Sequence, residues 1–201
     1  MTTAHDLTIV TLEVPSDSPV ERGDLSLALA GAELIDLLAA GTVELDGLDL
    51  RPGSPGGSGD RLLDAAAASL AGQEPAESVS DWLWRRGDGL AAQYLAAAGA
   101  DDGGRGRRWR TARRGADRPA PADPSARRRA TDRWTGGDPV LVSLAAAVGV
   151  RHESADQFAD PEDDRTATVL AAVHDAVVEL AATRQRRSIE EAGFDNIWRG
   201  M

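Results

Sequence analysis

Apolar residues recur at helical spacing most plainly between Asp24 and Gly41, where Leu25, Leu29, Ala32, Ile35 and Leu38 share one face. Asp24 is placed to cap this helix and Gly41 to end it. Before it, Leu7, Ile9 and Leu12 alternate weakly and run into Pro15 and Pro19, so residues 1–23 read as a short strand or extended arm. After it, residues 42–50 alternate through Val43 and Leu45 with Glu44 and Asp46 between, the period of a half-buried strand.

Residues 51–59 are nearly all Pro, Gly and Ser, hence a loop, and Ser58 or Asp60 can cap a helix over 61–70. Pro75 is placed to open a helix carrying Val79, Trp82 and Leu83, and another runs from Leu90 through Tyr94 and Leu95 to Gly99. Gly and Arg around Trp109 mark residues 101–118 as a basic hairpin or loop, and Pro119, Pro121 and Pro124 mark a linker. Three more helices are predicted, over 127–134, from Asp138-Pro139 to Val150, and from Arg165 to about Arg187 with Val169, Val173, Val177 and Leu180 on one face. The tail, residues 188–201, holds Ile189, Phe194, Ile197 and Trp198 but also Glu190, Glu191 and Asp195, the wrong sign for an anionic bilayer, so it is expected to dock on the core. The pattern is that of one compact, mainly α domain of 201 residues with short strand or hairpin elements.

Charge changes this picture because it is segregated. Against a formal net charge of −11, residues 105–133 hold 11 arginines and 3 acids, leaving 11 arginines and 30 acids elsewhere. The absence of cysteine excludes a disulfide framework, thiolate metal ligands and a thiol nucleophile. The longest apolar runs, residues 25–32 and 140–150, fall short of the roughly 20 residues that span a bilayer, and no basic segment leads into an apolar one at the start. The expectation is a cytoplasmic chain with no transmembrane segment.

Candidate chemistry is sparse. His5, His152 and His174 are far apart, and the acidic run after His152 lacks the ligand spacing of a calcium-binding hand. The Gly-rich residues 55–60 lack the Lys-Ser or Lys-Thr of a phosphate loop. Pairs such as Glu33 with Asp36, or Glu190 with Glu191, recur by chance among 33 acids and nominate no general acid or base. No catalytic residue, metal site or cofactor is nominated, and a non-enzymatic role is expected. The concentrated feature is Arg105, Arg107, Arg108, Arg110, Arg113 and Arg114 around Trp109. Planar guanidinium forks match phosphate oxygens, and Trp favours a membrane interface or stacks on bases. The same arginines can instead pair with the chain's own acids. Trp84, Arg85 and Arg86 can join such a site, or close a helix with cations that suit its dipole.

Three stretches together resemble the Golgi phosphoprotein 3 family. They are residues 29–45 (LAGAELIDLLAAGTVEL), 58–64 (SGDRLLD) and 78–83 (SVSDWL), in the family's order and spacing. The family pattern is a helix ending at Gly and entering a strand, a Thr-Gly-Asp-x-Leu-Leu-Asp element opening the next helix, and then a Trp-bearing helix. The match is best over residues 24–100, and the chain resembles a bacterial-type member. The resemblance implies a compact helical fold and a peripheral membrane role, with eukaryotic members binding phosphatidylinositol 4-phosphate and adapting Golgi enzymes for retention. It also implies a headgroup site of a Trp and an Arg around the first helix plus two Arg near the end of the Trp-bearing helix. Here those positions fall near Glu21, on Ala30, and approximately on Arg85 and Arg86.

The expected function is a peripheral adaptor at the inner face of the membrane that contacts anionic phospholipid headgroups or an acidic protein partner. Its candidate binding residues are Trp84, Arg85, Arg86, Arg105, Arg107, Arg108, Trp109 and Arg110. Phosphatidylinositol 4-phosphate is the lipid that the resemblance names. A winged-helix-like DNA binder, with the basic hairpin as wing and the helix of Arg127, Arg128 and Arg129 against phosphates, is the rival from another class, and the net charge counts against it. A protein interaction module without lipid binding is a further alternative. An enzyme would require a buried polar cleft with perturbed carboxylates.

Overall fold

A computed structural model describes residues 2–16, 18–54, 56–70, 76–99, 124–152 and 163–199, with side chains described as far as Glu191. Among these residues the order is α1 (Thr3–Glu13), α2 (Arg22–Ala39), β1 (Val43–Asp46), β2 (Asp49–Pro52), α3 (Arg61–Leu70), β3 (Glu77–Ser78), α4 (Val79–Gly87), α5 (Leu90–Ala97), α6 (Pro124–Thr135), α7 (Pro139–Ala147) and α8 (Asp164–Arg199). The mainly α expectation holds.

Helix α2 is the axis of the core. It buries residues on every side, among them Leu25, Leu29, Ala32, Leu34 and Leu38, and it touches α1, α4, α5, α7 and α8. It closes as its sequence predicts: Gly41 takes φ 67°, its N–H reaches Leu38 O at 3.1 Å, and the Thr42 N–H reaches Leu37 O at 3.0 Å. This is the left-handed cap in which glycine avoids a Cβ clash. Gly31 permits close approach of α8, because a Cβ there would lie 2.3 Å from Val173 Cγ2.

Residues 1–23 are not an extended arm. Thr2 caps α1, its Oγ1 accepting from the His5 N–H at 3.3 Å, and Thr3, Ala4, Asp6, Leu7, Thr8, Ile9 and Val10 are all buried. A helix covered on nearly every side shows no 3.6-residue stripe, and its Thr, Ile and Val favour a strand until tertiary packing overrides them. The alternation at 42–50 belongs to a hairpin rather than one strand. Strands β1 and β2 pair Leu45 with Leu50 and Asp46 with Asp49 around Gly47, with φ 66°, and β3 completes an antiparallel sheet of order β1-β2-β3.

Helix α4 begins at Val79, not near Pro75. Glu77 and Ser78 first pair with β2, and Ser78 Oγ then accepts from the Asp81 N–H at 3.0 Å. Asp60 supplies the cap of α3, accepting from Leu62 N at 2.9 Å and Leu63 N at 3.2 Å, and Asp138 caps α7 through Leu141 N at 3.0 Å.

Helix α8 runs past Arg187, through Gly193, to Arg199; no proline interrupts the stretch, and Glu190 and Glu191 sustain a helix. Where its side chains are described the tail does not dock: residues 188–191 are exposed, Ile189 by 61%. Over Asp164–Glu191 this is the one helix among the described residues long and apolar enough to cross a membrane by length and composition. Its stripe of Val169, Val173, Ala176 and Val177 is nevertheless buried within the core that α2 organises.

Candidate functional site

The end of α4 is where the candidate residues 84–86 meet the core. Trp82 and Leu83 are fully buried, and Arg86, four and three residues further along the helix, lies on the same face. Arg86 therefore points inward. Its Nε and Nη2 donate to Glu33 Oε2 and Oε1 at 2.6 and 2.8 Å, and Nη2 also donates to Leu62 O at 3.1 Å. Tyr94 donates its hydroxyl proton to Glu33 Oε1 at 2.9 Å. Glu33 and Tyr94 are fully buried, and the Arg86 side chain is 13% exposed. Burial raises the Glu33 carboxyl above the ordinary carboxylate range, against the lowering effect of Arg86 and Tyr94. Burial, and then the Glu33 charge, likewise raise the Tyr94 hydroxyl. His5 closes one flank, its Nδ1 3.1 Å from Asp60 Oδ2 and its ring edge-on to Tyr94 with centroids 5.2 Å apart.

Arg85 lies outside this cluster. Its Nε and Nη2 donate to Glu77 Oε1 and Oε2, both at 2.6 Å, and its guanidinium sits 5.2 Å from the Trp82 ring centroid. The Glu77 hydrogen bonds raise the Arg85 pKa. Arg85 keeps 38% of its side chain exposed, and Trp84 beside it is also 38% exposed. Trp84 and Arg85 thus form a surface corner, whereas Arg86 is a core cation. Arg105, Arg107, Arg108, Trp109 and Arg110 lie outside the described residues.

The two positions that the family resemblance assigns to the first helix differ in environment. Ala30 is fully buried and its carbonyl accepts from Trp82 Nε1 at 3.2 Å, so this position packs inside the core. Glu21 is exposed at the start of α2.

The arginines of α6 turn largely toward α1. Arg127 pairs with Glu13, Arg129 reaches Asp6 at 3.2 Å, and Arg133 reaches Asp6 at 2.7 Å and Asp138 at 3.0 Å. The Asp6 side chain is only 2% exposed, so these bonds compensate a buried carboxylate. Arg127, Arg129 and Arg133 thus pair with the chain's own acids, while Arg128 is exposed; the same alternative, expected for residues 105–114, falls outside the described residues.

Two small cavities accompany this arrangement. One of about 120 Å³ is lined by Leu37, Thr42, Ser58 and Asp64 among others, and one of about 210 Å³ lies between α1 and α6 against Ile9, Val10, Glu13 and Trp134. Neither is lined by Glu33 or Asp36, the carboxyls that burial raises. Among the described residues no three His, Asp or Glu side chains gather as metal ligands would.

The sequence pattern reads Glu33 as one acid among 33 and Tyr94 only as part of a helix, and it does not single out Asp6. The signal for Glu33 was present: it stands four residues after Leu29, on the apolar stripe of α2, where a carboxylate requires a buried partner. A family model described as Golgi phosphoprotein 3 (GPP34) matches residues 4–192. No curated protein and no solved structure matches the chain.

Proposed function

The chain belongs to the Golgi phosphoprotein 3 family, and on that premise we propose that it is a non-enzymatic peripheral adaptor holding anionic phospholipid headgroups through Arg105, Arg107, Arg108 and Arg110. The observation that carries this reading is where the surplus positive charge lies. Residues 105–118 hold seven arginines against Asp117 alone, whereas Arg127, Arg129 and Arg133 are engaged by Glu13, Asp6 and Asp138. Guanidinium groups carry their charge at any physiological pH and fork onto phosphate oxygens. Trp109 within the cluster, and exposed Trp84 beside Arg85, are residue types suited to the headgroup layer.

Arg86 has no part in this reading, because its charge is committed to Glu33. The ligand class is the anionic headgroup in general, since Ala30 brings no cation to the position that the resemblance reserves for one. The DNA-binding rival loses the support of Arg127 and Arg129, which bond to acids of α1, and the net charge of −11 opposes a polyanion.

Co-sedimentation with vesicles tests the reading. Binding to phosphatidylglycerol vesicles but not to neutral ones, weakening as salt rises, is the expected result. A requirement for phosphatidylinositol 4-phosphate would restore the narrower family ligand. Absence of binding to every anionic vesicle would contradict the proposal and favour a protein interaction module.

A further inference from the structure

The smaller cavity, of about 120 Å³, is built from the end of α2, the loop after β2 and helix α3. Its walls are apolar: Leu37 and Leu63 line it from the core, and half-buried Ala67 stands one turn on from Leu63. Gly57 lies at its rim, where a Cβ would meet nothing within 4 Å, so the mouth is open.

Two sources of negative potential meet at this cavity. Asp64 lines it, and its Oδ1 accepts from the Ser58 N–H and hydroxyl, both at 2.7 Å, which leaves Oδ2 with no partner among the described residues. The Ser58 N–H, and then its hydroxyl, hold the Asp64 carboxyl below the ordinary carboxylate range, so it stays ionised. Ala40, the C-cap of α2, lines the same cavity, and the last turn of this 18-residue helix carries no basic residue. The partial negative charge of a helix C-terminus is therefore uncompensated there. Both features oppose an anion, so a second headgroup phosphate does not fit.

We propose that this cavity binds a short primary alkylammonium, its carbon chain between Leu37, Leu63 and Ala67 and its ammonium against Asp64 and the end of α2. An ammonium suits the acceptors better than a guanidinium. Ser58 already occupies one carboxylate oxygen, which denies a planar fork its two-pronged partner, whereas three rotatable N–H donors can use the single free oxygen and the Thr42 hydroxyl at the same wall. The volume lies somewhat below the roughly 150 Å³ of an apolar cavity that admits benzene, which sets the chain at about four carbons.

Amide chemical-shift titration of the full chain, at constant ionic strength, is the test. n-Butylammonium is expected to shift the amides of Leu37, Thr42, Gly57 and Ala67 to saturation. n-Butanol, of similar shape without the charge, is expected to bind at least about tenfold more weakly. Asp64→Asn keeps an oxygen for Ser58 and should weaken n-butylammonium binding by about the same factor. Ala67→Leu fills the cavity, leaves the charge in place and should abolish saturation. If Asp64→Asn disturbs the loop, the Ala67→Leu variant and the n-butanol comparison still decide. A free amine and a lysine side chain present the same group, and Nα-acetyl-lysine methylamide separates them. Saturation of the same amides by this blocked lysine assigns the site to a lysine side chain, and its failure beside n-butylammonium binding assigns the site to a free amine. No saturable shift at these amides, equal binding of n-butanol, or n-butylammonium binding unchanged by Ala67→Leu would overturn the proposal.

Discussion

Arg86 and Glu33, 53 residues apart in sequence, form a two-pronged ion pair in the centre of the molecule, with Nε and Nη2 at 2.6 and 2.8 Å from the two carboxylate oxygens. The bond ties the end of α4 to the middle of α2. It also removes from the surface one of the two adjacent arginines that the sequence offers as phosphate ligands.

Removing one partner is expected to harm folding. Arg86→Ala leaves the buried Glu33 carboxylate with Tyr94 as its remaining side-chain hydrogen-bond partner, and the expected loss is about 3–5 kcal/mol in urea unfolding. Replacing both partners, as Arg86→Met with Glu33→Leu, should recover much of that loss, because no orphaned charge remains. Arg85→Ala removes the hydrogen bonds to both oxygens of Glu77, whose side chain is 7% exposed, so an intermediate loss of about 1–3 kcal/mol is expected.

The pH dependence has a definite sign. Glu33 has its carboxyl raised by burial in the folded chain, so between the unfolded and folded pKa values the native state binds more protons than the unfolded state. That contribution is fully present below the ordinary glutamate range and is lost as pH rises through the folded value. Urea unfolding across a pH series should therefore show wild type losing stability relative to Glu33→Gln as pH rises from about 4, where unfolded glutamates ionise. A difference that grows with rising pH would show that the pair holds Glu33 below its ordinary range.

Restoring the family's first-helix cation is not expected to restore a headgroup site. Ala30 is fully buried and its carbonyl bonds to the Trp82 indole. Ala30→Arg overfills that contact and buries a charge, with an expected loss of about 3 kcal/mol or more. Thermal unfolding measures it, and vesicle co-sedimentation of any folded fraction should show no gain.

What was legible from the sequence was whatever local chemistry decides. The α2 stripe with its Gly41 end, the α3 cap, and Asp138-Pro139 at the start of α7 each follow from a few adjacent residues. Helix α1 was hidden because it is covered on nearly every side and rich in Thr, Ile and Val, so neither period nor propensity marked it. The candidate site was legible by composition but not by direction. Trp84, Arg85 and Arg86 are adjacent letters, yet the two helical steps from 84 to 86 turn through about 200°, which separates an exposed Trp84 from an inward Arg86. The partners that draw arginines inward, Glu33 for Arg86 and Asp6 for Arg133, lie 53 and 127 residues away, beyond any local pattern.

The most direct measurement is salt-dependent co-sedimentation of wild type and Arg107→Ala/Arg108→Ala/Arg110→Ala with phosphatidylglycerol vesicles, both proteins first shown to unfold at the same urea concentration. Wild type should bind at low salt and be released at high salt, and the triple variant should bind at least about tenfold more weakly, as the loss of roughly 1 kcal/mol per cation near an anionic surface implies. Equal binding by the two proteins would contradict the assignment of the headgroup contact to this arginine cluster.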